Sequence, residues 1–191
     1  MAIIFSDCQL QRLVPLKRCI TEAIVGDTVT RIGKGVFYDA DSMTKVIVPD
    51  SVTSIGSDAF CLCTHLASFP LPKNLTDIDV RAFLLCYGMT GTLEIPNSVK
   101  TIAKEAFQRC SGFSRLILGN SIESIGDRGF SCCKGLTGDL VVPTSVKSIG
   151  SDAFGACDKL SNVIFEGKTI DQVKSMKNYP FGLNENVIRA N

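Results

Sequence analysis

Phenylalanine recurs at Phe37, Phe60, Phe83, Phe107, Phe130 and Phe154, and five residues before each stands an isoleucine, Ile32, Ile55, Ile78, Ile102, Ile125 or Ile149. The intervals are 23, 23, 24, 23 and 24 residues. Three residues before each isoleucine is an aliphatic residue, Val29, Val52, Leu75, Val99, Ile122 or Val146. Six residues after each phenylalanine is Met43, Leu66, Met89, Phe113, Leu136 or Leu160. Large apolar anchors at fixed offsets within such a period describe units that complete their cores only by stacking on their neighbours, as in a solenoid.

Between the last anchor of one unit and the next lies a short apolar segment: Val46-Ile-Val-Pro49, Leu93-Glu-Ile-Pro96, Leu116-Ile-Leu-Gly119 or Leu140-Val-Val-Pro143. These read as short parallel strands, with a seventh at Val163-Ile-Phe165. Leu66-Ala-Ser-Phe-Pro-Leu71 has the L-x-x-L-x-L spacing of a leucine-rich repeat, in which alternate side chains point inward. Proline lacks an N–H and cannot extend a ladder, so Pro49, Pro72, Pro96 and Pro143 should mark where the chain leaves the sheet; Gly26 and Gly119 take that place in two units. The two 24-residue intervals carry Thr90-Gly91 and Thr137-Gly138 before the strand, which suggests a one-residue bulge at a glycine tolerating positive φ. The expected fold class is α/β: a leucine-rich-repeat solenoid with a short parallel strand per repeat and turns or short helical segments on the opposite side. Residues 24–165 form six repeats plus a closing strand. Residues 1–23 should be an N-terminal cap, with Ile3, Ile4, Leu10, Leu13, Val14 and Leu16 covering the first repeat, and residues 166–191 a C-terminal cap. Thr169-Ile-Asp-Gln172 has the form of a helix capping box, and Asn178-Tyr-Pro-Phe-Gly182 ends that helix.

The segments Val48-Pro-Asp-Ser-Val-Thr-Ser-Ile-Gly-Ser-Asp-Ala-Phe60 and Ile95-Pro-Asn-Ser-Val-Lys-Thr-Ile-Ala-Lys-Glu-Ala-Phe-Gln-Arg-Cys110 closely resemble the BspA-like leucine-rich-repeat family, whose pattern runs I-P-x-S-V-x-x-I-G-x-x-A-F-x-x-C-x-x-L. The resemblance spans roughly residues 24 to 165. It implies a non-catalytic binding protein, associated in that family with the cell surface or secretion and with adhesion. The N-terminus itself, with Asp7 and no basic leader, does not read as a secretion signal.

Twenty basic and nineteen acidic residues give a net charge of +1, so no long-range field favours nucleic acid as a partner. No apolar run approaches the ~20 residues of a membrane-spanning helix, so no membrane insertion is expected. The nine cysteines are an odd number and read as free thiols; Cys63, Cys86, Cys110, Cys133 and Cys157 each fall three residues after a repeat phenylalanine, with Ala40 in the first unit, as suits a small buried core position. Cys61-Leu-Cys63 with His65, or vicinal Cys132-Cys133, invite reading as metal ligands or a redox pair, but they lack the spacing of a tetrahedral zinc set. No metal, cofactor or catalytic residue is expected: the single histidine and the absence of nucleotide-loop, zinc-helix or nucleophile-elbow motifs argue against an enzyme.

Two further ladders emerge. The position two before each phenylalanine reads Gly35, Asp58, Arg81, Glu105, Arg128 and Asp152, alternating in sign from Asp58 onward, which would favour correct register in a stack. The strand residues facing away from the core are Ile47, Pro70, Glu94, Ile117, Val141 and Ile164, mostly aliphatic. Ile47, Glu94, Arg115, Ile117 and Val141 are therefore the expected contact residues for a protein or glycan ligand, with a second copy of the chain as a further candidate partner. An interaction module that binds through the strand-bearing face follows, the alternative being a structural or self-associating component of a larger surface or phage assembly.

Overall fold

The computed structural model describes residues 2–5 and 17–191. In chain order its strands are β1 (Ala2–Phe5), β2 (Glu22–Val25), β3 (Arg31–Ile32), β4 (Lys45–Ile47), β5 (Ser54–Ile55), β6 (Asp77–Ile78), β7 (Gly91–Glu94), β8 (Thr101–Ile102), β9 (Phe113–Ile117), β10 (Ser124–Ile125), β11 (Gly138–Val142), β12 (Ser148–Ile149), β13 (Leu160–Phe165) and β14 (Ile188–Ala190). All pairings are parallel. The chain is a leucine-rich-repeat solenoid with little helix. The longer strands form three consecutive sheets, β1-β2-β4, β7-β9 and β11-β13-β14. The recurring isoleucines build a second face that the sequence did not announce, a six-stranded sheet ordered β3-β5-β6-β8-β10-β12 from strands of two residues each.

Each break in the longer-strand face has a local cause. The segment with the L-x-x-L-x-L spacing does not form a strand; only Ser68 bridges to Lys45, because Pro70 cannot donate to a ladder. At Gly91 and Gly138, both at positive φ, +81° and +72°, the register shifts by a residue, but the extra residue lies on the following strand, Ser114 between Phe113 and Arg115 and Ser161 between Leu160 and Asn162, so the bulge stands opposite the Thr-Gly pair rather than within it. After each strand the proline or glycine carbonyl accepts from the N–H three residues on, as in Val52 to Pro49 and Ile122 to Gly119, both turning the chain toward the second sheet.

The third side of the coil is built from turns. Gly35, Asp58, Arg81, Glu105, Arg128 and Asp152 all have φ between +51° and +60°, and Asp39, Leu62, Leu85, Arg109, Cys132 and Ala156 between +56° and +65°. Left-handed residues two before and two after the phenylalanine alternate the direction of the peptide groups, so N–H groups reach the next rung. Phe60 donates to Ala82 O at 2.8 Å and Leu62 to Leu84 O at 2.9 Å. At the last rung Phe154 donates to Phe181 O, so the segment around Phe181 stands where a further repeat would be. Between the three sides the repeat phenylalanines form a stack with centroids 5.1–5.7 Å apart from Phe37 to Phe154. Each pair contributes about 0.5–1.5 kcal/mol beyond burial.

The charge ladder closes in pairs rather than continuously. Arg81 Nε lies 2.8 Å from Asp58 and an Arg128 guanidinium nitrogen 3.5 Å from Glu105, with no ion pair from Arg81 to Glu105 or from Arg128 to Asp152 among the described residues. At the C-terminal end, Thr169 and Gln172 form the reciprocal capping box at the start of α1 (Ile170–Ser175). β14 then returns to pair with β13. The expected covering residues Leu10, Leu13, Val14 and Leu16 lie outside the described residues.

Candidate binding surface

In the longer strands, side chains at alternate positions point inward and outward, because the pleat has a period of two. Leu93, Leu116, Leu140 and Val163 are buried; Ile47, Ile117 and Val141 point the other way and remain 48%, 41% and 43% exposed. Glu94 and Pro70 are also exposed, and Ile164 is half-buried. Cross-strand pairing sets Ile24 beside Ile47, Glu94 beside Ile117, and Val141 beside Ile164, so the outward residues stand in rows.

The five expected contact residues do not form one patch. Glu94 and Ile117 line a common groove of about 650 Å³ that opens where the strand face is interrupted. Phe69, Leu71, Lys73, Asn97 and Asn120 also line it. Ile47 and Val141 lie on the β4 and β11 strands to either side, and neither they nor Arg115 line the groove. Arg115 is exposed and pairs in register with Thr92 at the bulge. The sequence pattern missed the groove's floor because it depends on the absence of a strand at Leu66–Leu71, a consequence of Pro70.

The cysteine ladder has a chemical as well as a steric role. Cys63, Cys86, Cys110, Cys133 and Cys157 are buried, and each thiol donates to the carbonyl of the phenylalanine one repeat back, Phe37, Phe60, Phe83, Phe107 and Phe130, at 3.0–3.2 Å. Burial pushes the Cys157 thiol up to about 12 and the Cys61 thiol up to about 11, and holds Cys86 and Cys133 well above the ordinary range. Cys132 and Cys133 are free thiols. His65 Nδ1 lies 2.6 Å from the Asp41 carbonyl and 3.1 Å from Thr64 Oγ1. Among the described residues no three His, Cys, Asp or Glu side chains gather as a metal site. No helix there is long and apolar enough to cross a membrane.

Stacked units with parallel strands, buried phenylalanine and thiol columns and outward aliphatic rows define a leucine-rich-repeat protein, a class of typically non-enzymatic interaction modules. The sequence matches the family model of the BspA type leucine rich repeat region in six copies, over residues 16–91 and 86–187, and the chain belongs to that family. Among solved structures it is similar to a leucine rich cell surface protein from Faecalibacterium prausnitzii A2-165, with 32% identity and a TM-score of 0.70 over 76% of this chain and 38% of that one. It is also similar to a leucine rich repeat protein of T. pallidum, with 29% identity and a TM-score of 0.50 over 76% of this chain and 58% of that one. The chain thus spans less than two thirds of either relative. Among curated proteins none matches.

Proposed function

We propose that the chain binds a protein or glycan ligand in adhesion, through the outward face of its longer strands, with Ile47, Ile117 and Val141 as apolar anchors and Glu94 and Arg115 as polar contacts beside them. The observation that carries this is the exposure of three aliphatic side chains in rows on one face of a chain whose repeat anchors are otherwise buried. Exposed aliphatic rows framing a groove are what a partner surface covers. The similarity to a leucine rich cell surface protein supports adhesion as the setting.

The test uses immobilised matrix glycoproteins and a glycan panel, with binding measured by biolayer interferometry. A lysine at each of Ile47, Ile117 and Val141 places charge along the length of the strand face, and burying an aliphatic side chain is worth about 1.5–3 kcal/mol, so the triple variant should bind at least roughly tenfold more weakly. Unchanged binding by a triple variant with wild-type circular dichroism would remove this face as the site. A second copy as the partner would show instead as a concentration-dependent dimer in sedimentation velocity, abolished by the same three substitutions.

A further inference from the structure

The second, six-stranded sheet carries an opening of its own, and it shares no lining residue with the groove at Glu94 and Ile117. Its floor is formed by the two-residue strands β8, β10 and β12, where Thr101, Ser124 and Ser148 precede the buried isoleucines and so point outward. Ser124 Oγ donates to Thr101 Oγ1 at 3.2 Å, which aligns neighbouring hydroxyls along the rungs. One wall comes from outside the repeats: Met176, Lys177 and Asn178, which follow α1, line the opening, and Asn178 Nδ2 is fastened to the Ile149 carbonyl at 3.0 Å. The result is a cavity of about 430 Å³, not a flat sheet.

Lys104, Lys147 and Lys177 line the cavity and no carboxylate does, the nearest exposed acid along the sheet being Asp77, beside Thr101 on the preceding rung. Lys147 Nζ meets Glu123 at 2.6 Å and Lys104 Nζ lies 3.9 Å from Glu105, while Lys177 forms no ion pair among the described residues. Glu123 therefore offsets much of the Lys147 charge, Glu105 holds Lys104 only loosely, and Lys177 with Lys104 supplies most of the free positive charge of the opening. Ammonium groups provide charge, and serine and threonine hydroxyls both donate and accept, as sugar hydroxyls require.

We infer that this cavity is a site for an anionic saccharide: an ester oxyanion, sulfate or phosphate, lies among Lys104, Lys147 and Lys177, and the sugar hydroxyls meet Thr101, Ser124 and Ser148. The site stands apart from the strand-face reading and does not depend on it.

Calorimetric titration of the full chain at low salt tests it, with a sulfated hexasaccharide, a phosphorylated one and their unesterified counterpart as probes. An ester saccharide should bind at least about tenfold more tightly than the unesterified sugar, and the tighter of the two esters identifies the source of the oxyanion. Lys104→Gln, Lys147→Gln and Lys177→Gln together should weaken it at least about thirtyfold and flatten its salt dependence, whereas Lys34→Gln, Lys134→Gln and Lys159→Gln, an equal loss of exposed charge outside both openings, should change it less than about twofold. Equal loss in both triple variants, or no binding of either ester, overturns the site. Amide shifts in the unmutated chain give a reading independent of folding: perturbations at Thr101, Ser124, Ser148 and Lys177 support it, and perturbations confined to the groove residues Glu94, Asn97, Ile117 and Asn120 overturn it.

Discussion

The repeat cysteine does more than fill a small core position. Phe83 O accepts from the Cys86 N–H within its own turn and from the Cys110 thiol of the next repeat, so the thiol ties one rung to the one before it. The same burial sets a pH limit. An ordinary thiol near 9 is raised to about 12 at Cys157, because burial penalises the thiolate. A raised folded-state value means the contribution to stability is whole below about pH 9, and is progressively lost as pH climbs from there toward 12, since only the unfolded chain releases the proton readily. Thermal melts from pH 7 to 11 should therefore be level to about pH 8.5 and fall above it. In Cys157→Ala the fall should be shallower by about one proton, the difference between the two slopes excluding lysine and tyrosine titration. Identical slopes would mean that the thiol ionises equally in both states.

At the scale of the element, the third side of the coil depends on residues that pay a backbone cost. Twelve turn positions lie at positive φ, eleven of them occupied by residues other than glycine. Arg109, at φ +62°, is exposed and forms no ion pair among the described residues, and its N–H donates to Ser131 O at 2.8 Å. Arg109→Gly keeps that N–H and relieves a left-handed cost of about 1–2 kcal/mol, offset in part by greater freedom in the unfolded chain, so urea unfolding should show a gain of about 0.5–1 kcal/mol. Arg109→Val, β-branched where left-handed backbone is least tolerated, should lose at least about 1 kcal/mol; the reverse order would show the turn does not hold its φ. These turns explain what was legible in the sequence. Period, the strand sites other than Leu66–Leu71, the prolines that end them and the presence of a register shift at each Thr-Gly pair rest on side-chain type, and so did the outward placing of Ile47, Ile117 and Val141. Apart from Gly35, the left-handed positions carry Asp, Arg, Glu, Leu, Cys and Ala, and stacking rather than glycine enforces them. The second sheet was hidden because two residues are too short to show an alternation, and with it went the cavity over Thr101, Ser124 and Ser148.

At the scale of the whole molecule, each rung touches only its neighbours, so stability should behave as a sum over rungs and interfaces, and the array should survive loss of one unit if phase is kept. Glu94 stands opposite Ile117, one repeat on, so removing residues 95–117 joins Glu94 to Leu118 in the place that Ile95 held. That deletion keeps every later anchor facing inward and costs one interface. Removing residues 95–116 instead joins Glu94 to Ile117, which puts an outward residue where the buried Ile95 belongs, and the one-residue slip turns the strand over. The 23-residue deletion is expected to fold with a cooperative melt at a lower temperature than the full chain, and the 22-residue deletion to lose cooperativity and near-ultraviolet dichroism. If both melt alike, the phenylalanine and thiol columns do not fix the register, and the chain is held by something other than rung-to-rung stacking. The 23-residue deletion also removes Ile117 and Arg115 from the strand face together with Thr101 and Lys104 from the second-sheet cavity, so its folded product should bind both the matrix partner and the anionic saccharide more weakly than the full chain.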